Sequence, residues 1–362
     1  MSVLKYVFAS DHLKTCERTL PHMRSRIVLA TVATWLFSHA VAPAGGALLA
    51  QQGFGPGQRV MLDAHNAYPQ NDRWRDRIDR ALSTGFPVAI EQDLYWTKAR
   101  DGRFEIVVAH DTSELDRAPT LDRYFFQRIR PLMERALAEQ RRDTWPLIVL
   151  NLDFKQNDAP LLDAVYTLLG QYESWLTTAP RTSTPDVAAP LSVGPLLVLS
   201  GSSEAQRARF HDAVPVGERL RAFGAIPSAV APGTNNDERA ANLSRMSAEQ
   251  LIAPKSSNYA RWVNFPWLVV EPGGQTNAGD WNATDAARLD ALVTRAHAQN
   301  LWIRFYTLDG FLNGDGDGLT TAYNFGSDSA VKLRWRAALE AGVDFIATDH
   351  YERFDAARRG KQ

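Results

Sequence analysis

The stretch Pro87-Val-Ala-Ile-Glu-Gln-Asp-Leu-Tyr-Trp96 is an apolar run that ends in two carboxylates spaced two apart. Read as a strand, it puts Ala89, Glu91 and Asp93 on one face and Ile90, Gln92 and Leu94 on the other. Two acids side by side on a largely buried surface repel each other and lose hydration, so a cation or protons must accompany them. Carboxylate oxygens are the preferred ligands of hard divalent ions. Working outward, Leu62-Asp-Ala-His65-Asn66 precedes this run and Val107-Val-Ala-His110-Asp111 follows it. Each carries a histidine at the end of an apolar segment. Together the three phrases outline a metal-assisted acid–base site.

Strand-like and helix-like stretches alternate along the rest of the chain. Strands are expected at residues 59–65, 87–93, 147–153, 196–200, 223–226, 267–271, 301–306 and 343–348, with an extra extended piece at 104–109. Helices are expected at 74–83, 120–141, 159–175, 286–299 and 331–341. Eight strands alternating with helices predict an α/β fold, a single (β/α)8 TIM barrel. Such barrels carry their sites at the C-terminal ends of the strands. His65, Glu91, Asp93, Asp153 and Asp349 all fall there. Parity agrees: Met61, Asp63 and His65 share a face, as do Val149, Asn151, Asp153 and Lys155.

The chain has 362 residues, 45% of them hydrophobic, with 40 basic and 41 acidic side chains. That balance fits a soluble globular protein and gives no sign of nucleic acid or a broadly anionic membrane as partner. Met23-Arg-Ser-Arg26 opens a basic region, residues 27–37 are apolar, and small residues follow to Ala50. This layout predicts a secretory signal peptide behind an upstream extension, the alternative being a buried N-terminal helix. Residues 1–50 are then leader and residues 51–362 the barrel domain of a secreted or periplasmic protein without a stable membrane anchor. The only cysteine, Cys16, lies in the leader, so the mature chain has no disulfide or cysteine metal site.

The phrases His65-Asn66, Glu91-x-Asp93, His110-Asp111 and Asp153-x-Lys155, in this order and spacing, resemble the phospholipase-C-like phosphodiesterase superfamily. That group includes glycerophosphodiester phosphodiesterases and phosphatidylinositol-specific phospholipases C. The resemblance runs from about residue 59 to Ala347-Thr-Asp349 and looks closest to proteins related to altered inheritance of mitochondria protein six. It implies that His65 and His110 form the catalytic pair and that Glu91 and Asp93 bind one divalent cation, Ca²⁺ or Mg²⁺. Asn66 stands where calcium-dependent members use an asparagine ligand, and Asp153 where the third acidic ligand, commonly glutamate, is found. Lys155 matches a lysine that contacts substrate phosphate. Glycerophosphodiesterases usually have Arg-Gly after the first histidine, whereas this chain has Asn-Ala.

These residue types suit phosphodiester cleavage. A divalent ion neutralises the anion, histidine can exchange a proton near neutral pH, and lysine adds positive charge at the phosphoryl oxygens. The expected partner is a small phosphodiester or phospholipid headgroup. A cyclising, lyase-type phospholipase and a non-catalytic barrel that binds phosphorylated ligands are the alternatives. Arg304 and Tyr306 share parity on the seventh strand and are placed either to contact substrate or, for Arg304, to pair with an acid in the barrel core. Glu271 and Asp349 either join the site or orient neighbours, and Trp96 packs on substrate or on a lid. Asn313-Gly-Asp-Gly-Asp-Gly318 resembles a calcium loop, but Asn324 stands where the bidentate glutamate belongs. His211, His297 and His350 show no partner in the sequence.

Overall fold

The computed structural model describes residues 54–70, 73–306, 308–311 and 323–360. The leader and the Asn313–Gly318 loop expected from the sequence lie outside them. Eight parallel strands form the centre: β1 (Met61–Ala64), β2 (Val88–Lys98), β3 (Ile148–Phe154), β4 (Leu196–Ser200), β5 (Phe223–Ala225), β6 (Ala260–Pro266), β7 (Trp302–Tyr306) and β8 (Phe345–Thr348). They neighbour one another in chain order, and β1 pairs with both β2 (Asp63 opposite Ala89) and β8 (Met61 opposite Phe345). That double pairing closes the sheet into the expected (β/α)8 barrel.

β2 is the longest strand. Its first seven residues pair with β3, from Val88 opposite Ile148 to Leu94 opposite Phe154. From Leu94 onward it also pairs antiparallel with Phe104–Val108, so a hairpin projects past the C-terminal end of the barrel. Trp96 stacks on Phe104 in that hairpin, with ring centroids 5.6 Å apart.

The sixth strand differs from expectation. It is Ala260–Pro266, and Trp267–Val269 is a 3₁₀ turn. Arg261, Asn264 and the closing proline interrupt the apolar pattern of the true strand and hide it from a periodicity reading. Trp267-Leu-Val-Val270 has the composition of a strand, but Trp267 Nε1 donates back to Glu271 at 2.6 Å and stabilises the turn. The expected helix at 120–141 is also divided, into a π-helical turn at Asp122–Phe126 and an α-helix at Gln127–Glu139. Among the described residues no helix is long and apolar enough to cross a membrane.

Alternation along the strands builds two cores. Outward-facing Ile90, Leu150, Val198, Phe305 and Ile346 pack against the surrounding helices. Inward-facing Met61, Ala89, Val149, Leu197, Phe223, Trp262, Trp302 and Phe345 fill the lower barrel, with Phe54 against them. Each large side chain fully buried there contributes about 1.5–3 kcal/mol. Higher up, the same inward positions change character: Met61 gives way to Asp63, Ala89 to Glu91 and Asp93, Val149 to Asn151 and Asp153, and Trp302 to Arg304 and Tyr306. The apolar end needs no partner chemistry; the charged end does.

Beneath the barrel, Asp344 accepts hydrogen bonds from Gly57 N (2.7 Å) and Ile303 N (2.8 Å) and meets His297 Nε2 at 3.0 Å. Gly57 has φ of 76°. A Cβ there would lie 2.9 Å from His297 Nδ1, so the glycine covers that ring closely.

Candidate active site

The charged end begins with a buried ion pair. Arg304 rises from β7 and is 2% exposed. Its guanidinium donates to Asp63 on β1, to Glu91 Oε1 on β2 (3.2 Å) and to Asn264 Oδ1 on β6 (3.1 Å). Burial opposes its charge, but Asp63 and Glu91 outweigh burial and hold the guanidinium protonated. Of the two roles the sequence leaves open for Arg304, these bonds show the pairing with acids in the barrel core, where it holds Glu91. Burial raises the pKa of Asp63, against the opposing pull of Arg304.

One pleat higher, Glu91, Asp93 and Asp153 each offer a carboxylate oxygen within 4.8 Å of one another, the first two buried and the third partly so. At that spacing each pair repels by about 3–4 kcal/mol at an effective dielectric of about 20. Lys155, just past β3, bridges two of them, with Nζ 2.9 Å from Asp93 Oδ2 and 2.6 Å from Asp153 Oδ2. Burial works against its charge, but the two aspartates prevail and raise its pKa. Asp63, Glu91, Asp93 and Asp153 still outnumber Arg304 and Lys155 by two charges. Oδ1 of Asp93 and Oδ1 of Asp153 accept no hydrogen bond among the described residues. The donor set therefore suits a hard divalent cation.

The two histidines flank this cluster. His65 Nδ1 lies 2.8 Å from Asp349 Oδ1, and its Nε2 lies 3.4 Å from Glu91 Oε2. Burial would lower its pKa, but Glu91 and Asp349 together push it up to about 9. His110 Nδ1 lies 2.9 Å from Asp93 Oδ2, and that bond raises its pKa despite partial burial.

Asn66 has φ of 52°, in the left-handed region that asparagine tolerates. Its backbone N–H points to Glu91 Oε2 at 3.3 Å. Its amide donates to both Asp349 oxygens (3.2 and 3.3 Å) and its Oδ1 accepts from Tyr68. Asn66 thus borders the carboxylates with its side chain already engaged. Tyr306 is partly buried at the same mouth, edge-on to Tyr323 at 6.0 Å, and Tyr323 is in turn edge-on to His65 at 6.3 Å.

Three residues of this site escape a reading by strand parity. The Tyr68 hydroxyl lies 2.9 Å from Asp93 Oδ2 and 3.2 Å from His110 Nδ1, linking the two histidine segments. Arg77 donates to Asn66 O at 2.7 Å and reaches Asp349 Oδ2 at 3.9 Å. Tyr351 donates to His65 O at 2.5 Å. All three sit on loops or helices, where the period-two signal does not apply. Asp349 orients His65, its own pKa lowered by His65 and Arg77 against strong burial.

The remaining candidates have structural partners. Glu271 is bound by Arg334 (2.6 Å) and by Trp267, apart from the acid–base set. His211 is paired with Asp212 at 2.7 Å and Asn258 at 3.1 Å, and His350 accepts from Gly310 N at 3.1 Å.

No family model and no curated protein matches the chain. Among solved structures, it is similar to a glycerophosphoryl diester phosphodiesterase from Parabacteroides distasonis, with a TM-score of 0.38 and 12% identity over 85% of this chain and 88% of that one. It is also similar to an HPPK-DHPS from Plasmodium falciparum, with a TM-score of 0.39 and 7% identity over 84% of this chain and 48% of that one. At these scores the likenesses carry no argument. The barrel rests on its own strand order, and the function on the side chains at its mouth.

Proposed function

We propose that this barrel is a metal-dependent phosphodiesterase in which His65 and His110 act as general acid and base on a small phosphodiester or phospholipid headgroup. The observation that carries the reading is the convergence of Glu91, Asp93 and Asp153 beside two imidazoles, each oriented by its own carboxylate. A Ca²⁺ or Mg²⁺ ion held by these three carboxylates would neutralise the phosphate and lower the pKa of an attacking hydroxyl or water. Arg304 fixes Glu91 from below. Lys155 supplies a second positive charge to the phosphoryl oxygens. Asp349 and Asp93 hold Nδ1 of His65 and His110, respectively, and the Nε2 atoms, that of His65 beside Glu91 Oε2, would exchange protons with the nucleophile or the leaving oxygen. Asn66 and Tyr68 tie the two histidine segments together, and Tyr306 with Tyr323 borders the substrate beside His65.

The test is a panel of glycerophosphodiesters, phosphoinositides, lysolipids and bis-p-nitrophenyl phosphate with Ca²⁺ or Mg²⁺, its products identified by ³¹P NMR. Turnover should require the metal and fall by roughly 10²–10³-fold in Glu91→Gln, as when a group that stabilises transition-state charge is lost. Activity unchanged by exhaustive chelation would overturn the metal assignment. A cyclic phosphate as first product would assign the lyase-type reaction, and binding without turnover across the panel would assign a binding barrel.

A further inference from the structure

A second buried carboxyl group touches the segment that carries Asp349. Asp309 lies just past β7 and is 4% exposed. Its Oδ1 accepts hydrogen bonds from the Asp349 backbone N–H and from Thr348 Oγ1, both at 2.8 Å. Thr348 Oγ1 accepts in turn from His350 N at 3.1 Å. One oxygen therefore gathers the turn from which Asp349 sends its own carboxylate to His65 Nδ1. Burying a carboxyl group is costly unless it is hydrogen-bonded, and the donors Asp309 takes, among the described residues, both belong to that turn. Its backbone is anchored from two sides. Leu308 N donates to Ala347 O at 2.7 Å, while Asp309 N donates to Tyr323 O (3.3 Å) and Asp309 O accepts from Phe325 N (2.8 Å). Tyr323 is the ring that stands edge-on to His65. Burial, with the Asp349 carboxylate adding to it, raises the Asp309 pKa to about 7. Below that pH the group is a neutral acid, for which asparagine is a close isostere.

We propose that Asp309 is a positioning residue of the acid–base site: its carboxyl group locks the turn after β8 so that Asp349 stays in line with His65 Nδ1. Partners of this kind, one step removed from the reacting groups, fix the orientation of a histidine and tune its basicity. This role rests on the phosphodiesterase reading for its kinetic arm alone. The hydrogen bond between Asp349 and His65 can be followed without substrate or metal.

NMR of the full chain labelled with ¹⁵N-histidine, in chelator, reads the His65 Nδ1 resonance, with Asp349→Asn marking its position once the hydrogen bond is lost. Asp309→Ala should move the resonance toward that position. It should also lower kcat about tenfold or more with KM nearly unchanged, as loss of a partner behind a functional group does. Asp309→Asn, which keeps the acceptor oxygen, should restore the resonance and most of kcat. Urea denaturation verifies that each variant is folded, and Asp309→Ser takes the place of Asp309→Ala if the latter is not. His297→Ala, destabilised at the opposite end of β8, should keep both the resonance and kcat, which separates positioning from a general loss of stability. A folded Asp309→Ala that keeps either the resonance or kcat would overturn the proposal. So would an Asp309→Asn that loses as much as Asp309→Ala, or a His297→Ala that shifts the resonance as far. If no phosphodiester is turned over, the phosphodiesterase reading fails, and the resonance alone decides the role of Asp309.

Discussion

At the lower end of β8, Asp344 meets His297; at the upper end, Asp349 meets His65. Both pairs join an imidazole to a buried carboxylate beside the same strand. They differ in what the rest of each group faces. Asp344 is saturated by two backbone amides, and the far nitrogen of His297 lies under Gly57. Asp349 is shared among His65, Asn66 and Arg77, and the far nitrogen of His65 faces Glu91. A histidine–aspartate pair is therefore no mark of chemistry by itself. The lower pair ties the polypeptide to the floor of the barrel, whereas the upper one leaves a nitrogen directed at other ionisable groups.

The largest contrast should come from deleting each imidazole. His65→Ala is expected to reduce turnover by roughly 10²–10⁴-fold with metal affinity retained, the usual loss for a general acid or base. His297→Ala should leave turnover near wild type and lower stability by about 1–3 kcal/mol, because it strips a partner from buried Asp344. Steady-state kinetics and urea denaturation read the two effects. Equal kinetic losses in both variants would erase the distinction.

Neutralising the carboxylates is expected to give smaller effects of opposite pH sign. Asp349→Asn should slow turnover about 10–100-fold by loosening the orientation of His65, as loss of a partner behind a functional group does. The folded pKa of Asp349 lies below 3.8. Its contribution to stability is thus present above that value and lost as pH falls through the folded pKa. For Asp344, burial prevails over His297 and the amides and raises the pKa above 3.8. Folding then favours its protonated form, and stability declines as pH rises from 3.8 through the folded pKa. Urea midpoints measured against pH in chelator should show Asp349→Asn flattening the acid limb and Asp344→Asn removing the decline on its alkaline side.

The smallest effect belongs to the cover over His297. Gly57→Ala places a Cβ 2.9 Å from its Nδ1 on a backbone with φ of 76°. It should cost about 1 kcal/mol or somewhat more, the usual penalty for a side chain in that conformation, without touching turnover. Thermal melting beside an activity assay checks it.

Much of this was legible in the chain itself, for a definable reason. Strand parity shows which side chains share a face, so Asp63 with His65, Glu91 with Asp93, Asp153 with Lys155 and Arg304 with Tyr306 can be grouped from the chain alone. Leu196–Ser200 was bounded correctly because its apolar run is uninterrupted. β6 was misplaced because inward and outward positions there mix arginine, asparagine and proline with aromatics, so its pattern is weaker than that of the turn behind it. Direction was also beyond a one-dimensional reading. Parity put Arg304 in the barrel, but only the closed ring shows that Asp63, Glu91 and Asn264 surround it. Tyr68, Arg77 and Tyr351 carry no periodic signal, and their roles depend on where the loops after β1 and β8 come together.

The double pairing of β1 also sets when the mouth can first exist. His65 follows the first strand and Asp349 the last, 284 residues apart, and they become neighbours only through the β1–β8 ladder. A nascent polypeptide that still lacks residues 345–349 can form the carboxylate-bearing strand β2 and its hairpin, but not the support behind His65. Contacts of such sequence separation are also the slowest to form in folding. On the proposed mechanism, a chain that lacks the final seam has no carboxylate behind His65 and is expected to be inactive, so competence would arrive only when the barrel closes.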